Sequence, residues 1–463
     1  MKIQTSPQSG IKKHFWLYII TIVASLGGLL SGFDMGVISG ALLFIKSDWN
    51  LGEDQQSLLV SAAIIGAIIG AAGNGFLADL YGRKKVIVAT AVIFIVASVL
   101  CAFSPDITWL VISRMMIGLA VGMVNFVVPV YLSEIAPQRI RGMLVSLFQL
   151  AITAGILFSY LVNGAFAEAV YNWRWMMGAG VLPALILLAG IIFLEDTPRW
   201  LLSKQRESEA KAVFKKIEPD KSVTRQIKEI KQNLEAEKSA GEKVSFQRWM
   251  LMPVFVGVGM MFAQICTGIN TIIYYTATIF QNAGFSSNTS AIYATIGVGA
   301  VNFVMTIVAI AFTDRWGRKP LLYAGLSGML IALACLGTAF RFGDILGESL
   351  RWVAVGSVIV YIACFAFSLG PIGWIMVSEV LPLKIRGFAM GICTVANFTF
   401  NLIVVSSFPI LVSKIGEGYT FWIFGVISVL CLVFVFFFVP ETKGISLERI
   451  EANWRNRIPA RKF

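Results

Sequence analysis

The chain has 463 residues, 57% of them apolar and only 14% charged, against roughly 45–50% and 25% in soluble domains. With a mean hydropathy of +0.78, this composition excludes a water-soluble globular protein and leaves a polytopic membrane protein. The formal charge of +12 would suit nucleic acid, but its distribution along the chain makes that partner unnecessary.

Apolar runs long enough to cross about 30 Å of hydrocarbon fall near 15–44, 57–78, 86–104, 108–132, 143–166 and 173–194. After a polar stretch they resume near 251–281, 288–313, 320–341, 350–377, 388–412 and 418–440. The expected organisation is a six-helix half over 1–194, a linker over 195–250, a second half over 251–440 and a tail over 441–463. The first run is too long and glycine-rich for a cleavable signal peptide. The single histidine, His14, precedes it and reads as interfacial. The six cysteines lie in apolar segments, without metal or disulfide spacing, and read as packing residues.

With the first residues in the cytoplasm, about 32 of the 38 Lys and Arg residues fall on the inner side, as the positive-inside bias requires. Both termini are then cytoplasmic, and the positive charge belongs to that face. In the linker, Glu207–Glu218 and Val223–Glu237 alternate charge and place Ile227, Ile230 and Leu234 at helical spacing. They are expected to form short helices on the cytoplasmic face that brace the two halves. Asn288-Thr289-Ser290 matches a glycosylation sequon, which carries no meaning in a bacterial-looking chain.

Three motifs occur twice in one order. Asp79-Leu80-Tyr81-Gly82-Arg83-Lys84 returns as Asp314-Arg315-Trp316-Gly317-Arg318-Lys319, and Ser133-Glu134-Ile135-Ala136-Pro137 as Ser378-Glu379-Val380-Leu381-Pro382. More weakly, Glu195-Asp196-Thr197-Pro198-Arg199 returns as Pro440-Glu441-Thr442-Lys443-Gly444. Displacements of roughly 240 residues imply two parallel copies of one unit, the plan of one class of secondary transporter. The repeated acids and bases (Asp79, Arg83, Glu134, Arg141, Asp314, Arg318, Glu379 and Arg386) read as salt-bridge networks at the cytoplasmic gate. They are expected to lock an outward-facing state and to break when the inner gate opens. Plain positive-inside anchoring is the simpler reading.

Charge inside a span is costly, so what survives is a functional candidate. Asp34 in the first span and Arg114 in the fourth are placed at similar depth and can pair. Such a pair can be a proton switch, the arginine holding the ionised acid and releasing the protonated one, or a static link between two helices. Uncharged polar residues sit on several spans: Gln149, Gln264, Asn270, Asn302, Trp374, Asn397 and Asn401. Amides donate and accept at once, which suits a neutral polyhydroxylated ligand; interhelical hydrogen bonding is the alternative for each. No nucleophile–base set, metal cluster or phosphate loop points to an enzyme.

These motifs together resemble the sugar porters of the major facilitator superfamily along essentially the whole chain. The resemblance rests on Gly32-Phe33-Asp34, Asp79–Lys84, Tyr131–Pro137, Trp173–Met176, Thr197–Leu201, Gly268-Ile269-Asn270, Tyr274-Tyr275, Gly370–Trp374 and Pro440–Lys443. It is strongest to the bacterial proton-coupled porters of xylose, galactose, arabinose and glucose. It implies an all-α fold of twelve transmembrane helices in two pseudo-symmetric halves with cytoplasmic linker helices. It also implies sugar contacts at Gln149, Gln264, Asn270, Asn302, Trp374 and Asn397, an outer gate at Tyr274, and proton coupling at Asp34 with Arg114.

The animal facilitators of the family carry asparagine where Asp34 stands, so the acid favours symport. The chain departs from the pattern at Ala263, where a glutamine is usual, and at Phe398, where tryptophan is common; Ala366 stands where some glucose facilitators have glutamate. The expected protein imports a monosaccharide with protons across the inner membrane, as a monomer and without a further cofactor. A uniporter of the same fold, a drug–proton antiporter and a transporter-like receptor are the rivals.

Overall fold

The structure is a computed structural model and describes residues 15–136, 141–217, 223–240, 247–382 and 385–463. Among them are twelve helices, straight or interrupted, that are long and apolar enough to cross a membrane. Spans one to five are Phe15–Trp49, Glu53–Tyr81, Arg83–Ala102, Ile107–Ile135 and Arg141–Phe166. Span six is Asn172–Gly178 followed by Val181–Ile192.

In the second half, span seven is Leu251–Cys266 and Ile269–Asn282, span eight Asn288–Trp316 and span nine Arg318–Arg341. Span ten is Ser349–Phe367 and Leu369–Val380, span eleven Arg386–Ile415 and span twelve Glu417–Phe438. The expected all-α architecture is present. What the hydropathy did not show is that spans six, seven and ten are broken. Gly268, at φ +97°, makes the break in span seven, a left-handed conformation natural to glycine.

Helices in lipid gain nothing by hiding apolar surface from one another, so close backbone approach holds them together. Spans two and four meet through Gly66, Gly70, Gly118 and Gly122, each of which faces backbone of the partner helix. Spans one and five meet the same way through Gly32 and Gly155. The Asn74 amide of span two donates to the Met123 carbonyl of span four at 2.5 Å.

Linker helices run over Glu207–Ile217 and Val223–Ala240, close to the expected bounds, with a short unforeseen helix at Pro198–Ser203. The expectation that they brace the two halves needs correction. Their principal packing is on one another and on spans one and four, all in the first half. The anchor is Trp200, buried, whose indole Nε1 donates to the Asp79 carbonyl at 3.1 Å. The tail also carries a docked helix. Leu447–Arg455 is a helix that buries Ile450 and Trp454 against the second half, packing on span ten and the short turn before span seven.

Four cysteines are buried; Cys364 is half-buried and Cys335 exposed, so the packing reading fails at Cys335. His14 and the side chains of Arg141, Leu234 and Asp314 lie outside the described residues.

Candidate functional site

The candidate residues divide into a charged pair in the first half, an amide cluster in the second, a seal between the halves at one end and a lock within each half at the other. The end carrying Arg83 and Arg318 is called here the basic end.

Asp34 and Arg114 are buried at 3% and 0% exposure, and Arg114 Nη1 donates to Asp34 Oδ1. The guanidinium Nε and Nη2 have no hydrogen-bond partner among the described residues. A buried arginine held through one nitrogen is an unusual investment, because an ion in a low-dielectric site is tolerable only when well paired.

The amide cluster lies in the second half, around the breaks in spans seven and ten. Gln264 donates to the carbonyls of Leu369 and Gly370 at 3.2 and 3.1 Å, and its Oε1 accepts from Asn397 Nδ2 at 3.0 Å. Gly373 makes the approach feasible: a Cβ there would stand 2.9 Å from the Gln264 amide nitrogen. Asn270 donates to Asn401 at 2.9 Å, and Tyr274 hydrogen-bonds Asn401.

Asn302 is buried, while Gln149 and Trp374 are half-buried. The structure therefore joins Gln264 with Asn397, and Asn270 with Tyr274 through Asn401. No hydrogen bond links Gln149, Asn302 or Trp374 to either group among the described residues. Because the amides satisfy one another, a ligand would gain only the difference between its own hydrogen bonds and those it displaces.

The seal lies at the end away from the basic residues. Ser57 of span two donates to the Ser406 carbonyl of span eleven at 2.7 Å. Tyr160 of span five donates to the Ile273 carbonyl at 3.0 Å, and Ser39 of span one accepts from the Ala277 N–H at 3.1 Å. All three cross between the halves. At the basic end, every ion pair among the described residues in the repeated motifs stays within one half.

There the duplication is structural, down to single atoms. Arg83 Nη2 pairs with Glu134 at 3.1 Å and with Asp79 at 2.9 Å; Arg318 Nη2 pairs with Glu379 at 3.1 Å. Thr197 donates to Glu134, and Thr442 to Glu379, each at 2.5 Å. Asp196 accepts the Arg83 and Lys84 N–H groups that open span three, at 2.9 and 3.4 Å. Glu441 does the same for Arg318 and Lys319 at the start of span nine, at 3.1 and 2.9 Å.

Gly82 and Gly317, at φ +98° and +93°, leave room for these carboxylates; a Cβ on Gly82 would stand 2.1 Å from Asp196 Oδ2. Burial pushes the Asp196 carboxyl above its ordinary range, opposed by the backbone N–H groups that it accepts and by Arg83.

One expected partner is different. Arg386 does not meet Glu379: it donates to the Leu381 carbonyl at 3.4 Å and feels Glu448 and Glu451 of the C-terminal helix. Asp196, Thr197, Glu441 and Thr442 were not foreseen as members of the locks, although the weakest of the three repeats contains all four. Asp196→Ala and Glu441→Ala are each expected to cost about 1–2 kcal/mol, as loss of a helix cap does, and to lower Tm in detergent. An unchanged Tm in both would refute the capping role.

Residues 20–454 match the family model described as "Sugar (and other) transporter". The chain belongs to this family. It is 38% identical to the galactose-proton symporter of Escherichia coli (strain K12), covering 96% of this chain and 95% of that one. It is 42% identical to the glucose transporter GlcP of Staphylococcus epidermidis, over 96% and 98%. The inward open conformation of the xylose transporter XylE from E. coli aligns with a TM-score of 0.82 and 34% identity, covering 94% of this chain and 99% of that one. The protein is thus a multi-pass sugar transporter of the major facilitator superfamily, and not an enzyme.

Proposed function

We propose that the protein is a monosaccharide–proton symporter of the inner membrane, with its basic end and both termini in the cytoplasm. The observation that carries the coupling is the Asp34–Arg114 pair, the most deeply buried ion pair among the described residues and one set well inside spans one and four rather than at their ends. Protonation of Asp34 would release Arg114 and change how spans one and four pack. The sugar would bind the second half at Gln264, Asn270, Asn302, Trp374 and Asn397, with Gln149 from the first half and Tyr274 above.

The halves 1–194 and 251–440 then rock about this site. The seal at the far end and the likeness to an inward-open transporter support an inward-facing arrangement in this structure. The locks hold within each half here, so what they would lose or gain on rocking is their contact with the opposite half.

The test is uptake of labelled glucose, xylose and galactose into proteoliposomes with and without an inward proton gradient. Accumulation of one sugar above its outside concentration only when the gradient is present is the expected result. Equilibration alone would make the protein a uniporter.

Gln264→Ala is expected to raise the sugar KM about tenfold, the equivalent of one hydrogen bond of about 1.4 kcal/mol. Trp374→Ala is expected to do the same by removing an apolar face for the ring. Unchanged KM in both variants would move the sugar site elsewhere.

A further inference from the structure

Beside the last turn of span twelve lies a cationic feature that the repeated locks do not explain. Arg461, exposed, lays its guanidinium over the rings of both Phe436 and Phe437, 4.1 Å from each centroid. The two rings are 48% and 50% exposed on the outside of the helix bundle, the surface that faces lipid. Cation–π contact uses the flat face of a guanidinium and leaves its edge of N–H donors, none of which finds a protein acceptor among the described residues.

A second cation stands alongside. Lys319 Nζ donates to the Phe436 and Val439 carbonyls at 3.3 and 2.9 Å, and Arg461 and Lys319 feel each other's charge. An ammonium has three donors, so one is left over. The acid acting on Lys319 is Glu441, whose carboxylate already accepts from the N–H groups of Arg318, Lys319 and Lys443.

The first half supplies the control. Lys84 caps the end of span six as Lys319 caps span twelve, donating to the Ile192 carbonyl at 2.8 Å. Beside it, Phe193 is 83% exposed and, among the described residues, carries no stacked arginine. The lysine therefore belongs to the repeated architecture, and Arg461 is an addition confined to one half. Two like charges brought together at the rim of a bilayer, over apolar rings, call for an anion with a greasy attachment.

We propose that Arg461 and Lys319 bind the phosphate of an anionic phospholipid in the leaflet at the basic end, its acyl chains lying over Phe436 and Phe437. Each basic residue near an anionic membrane surface contributes roughly 1 kcal/mol, and the aromatic shelf fixes the guanidinium in place. The proposal does not depend on the transported sugar or on proton coupling.

The experiment is native mass spectrometry of the whole protein with phosphatidylglycerol, phosphatidylcholine or glycerol 3-phosphate added. The expected result is retention of phosphatidylglycerol over the other two. Arg461→Gln and Lys319→Gln should each reduce that occupancy about fivefold, and Lys84→Gln should leave it unchanged.

Equal retention by Arg461→Gln and the parent would overturn the proposal. So would equal occupancy by glycerol 3-phosphate, which would make this a site for soluble anions. Should the variants fail to fold, a photoactivatable phosphatidylglycerol on the unsubstituted protein decides. Labelling of the peptide carrying Phe436 and Phe437 is expected, and labelling only elsewhere overturns the assignment.

Discussion

Asp34→Asn is expected to abolish uphill accumulation of sugar while leaving exchange of sugar across the membrane intact. Asparagine fills the same space and can still accept from Arg114, but it cannot carry a proton. With one proton per sugar, each unit of pH gradient supports about tenfold accumulation, or roughly 1.4 kcal/mol. The variant should fall to a ratio of about one.

Exchange survives because the amide keeps a hydrogen bond to a guanidinium that is 0% exposed. Removing that acceptor altogether, as in Asp34→Ala, would leave the arginine buried and unpaired, at a cost of about 3–5 kcal/mol. The measurement is counterflow and gradient-driven uptake in the same proteoliposomes. Undiminished accumulation would remove Asp34 as the proton carrier. Loss of both activities would mark the pair as a static link between spans one and four.

Gly32→Ala and Gly118→Ala are expected to prevent correct assembly of the first half. A Cβ at Gly32 would stand 1.8 Å from the Ile152 carbonyl oxygen, and one at Gly118 1.9 Å from that of Ala63. In both cases the obstacle is backbone in the middle of a long helix, so no side chain can swing aside. The helices would have to separate, at a cost of about 3 kcal/mol or more, the upper range for overpacking.

Gly297→Ala, with nothing within 4 Å of its Cβ, is the comparison and should behave as the parent. Recovery of monodisperse protein in detergent reads the outcome. A normal yield of Gly32→Ala would show that spans one and five are not held by backbone contact there.

Much of this architecture was legible in the sequence because lipid imposes few rules and strict ones. Apolar runs give the spans, and costly ions such as Asp34 and Arg114 advertise themselves. The breaks in spans seven and ten were not legible, since apolar residues continue through Gly268 and Ser368 and hydropathy ignores dihedral angles.

The C-terminal helix was not legible either, because its four charged residues outnumber Ile450 and Trp454, the two residues that dock it. The third repeat aligns Asp196 with Glu441, but their capping role was hidden because the N–H groups they accept lie more than a hundred residues away. Individual amides are visible in the sequence as polar groups on several spans. That Gln264 is committed to two carbonyls and Asn397 depends on contacts more than a hundred residues apart, which no local pattern reports.

The seal between the halves has a consequence for how this chain tolerates drift. Ser57, Tyr160 and Ser39 all engage main-chain atoms of the other half, at Ser406, Ile273 and Ala277. What they grip is present whatever residue occupies those three positions. Changes of side chain at 273, 277 and 406 that fit the packing therefore leave in place the groups these three residues grip. Proline at 277 would additionally delete the N–H that Ser39 receives.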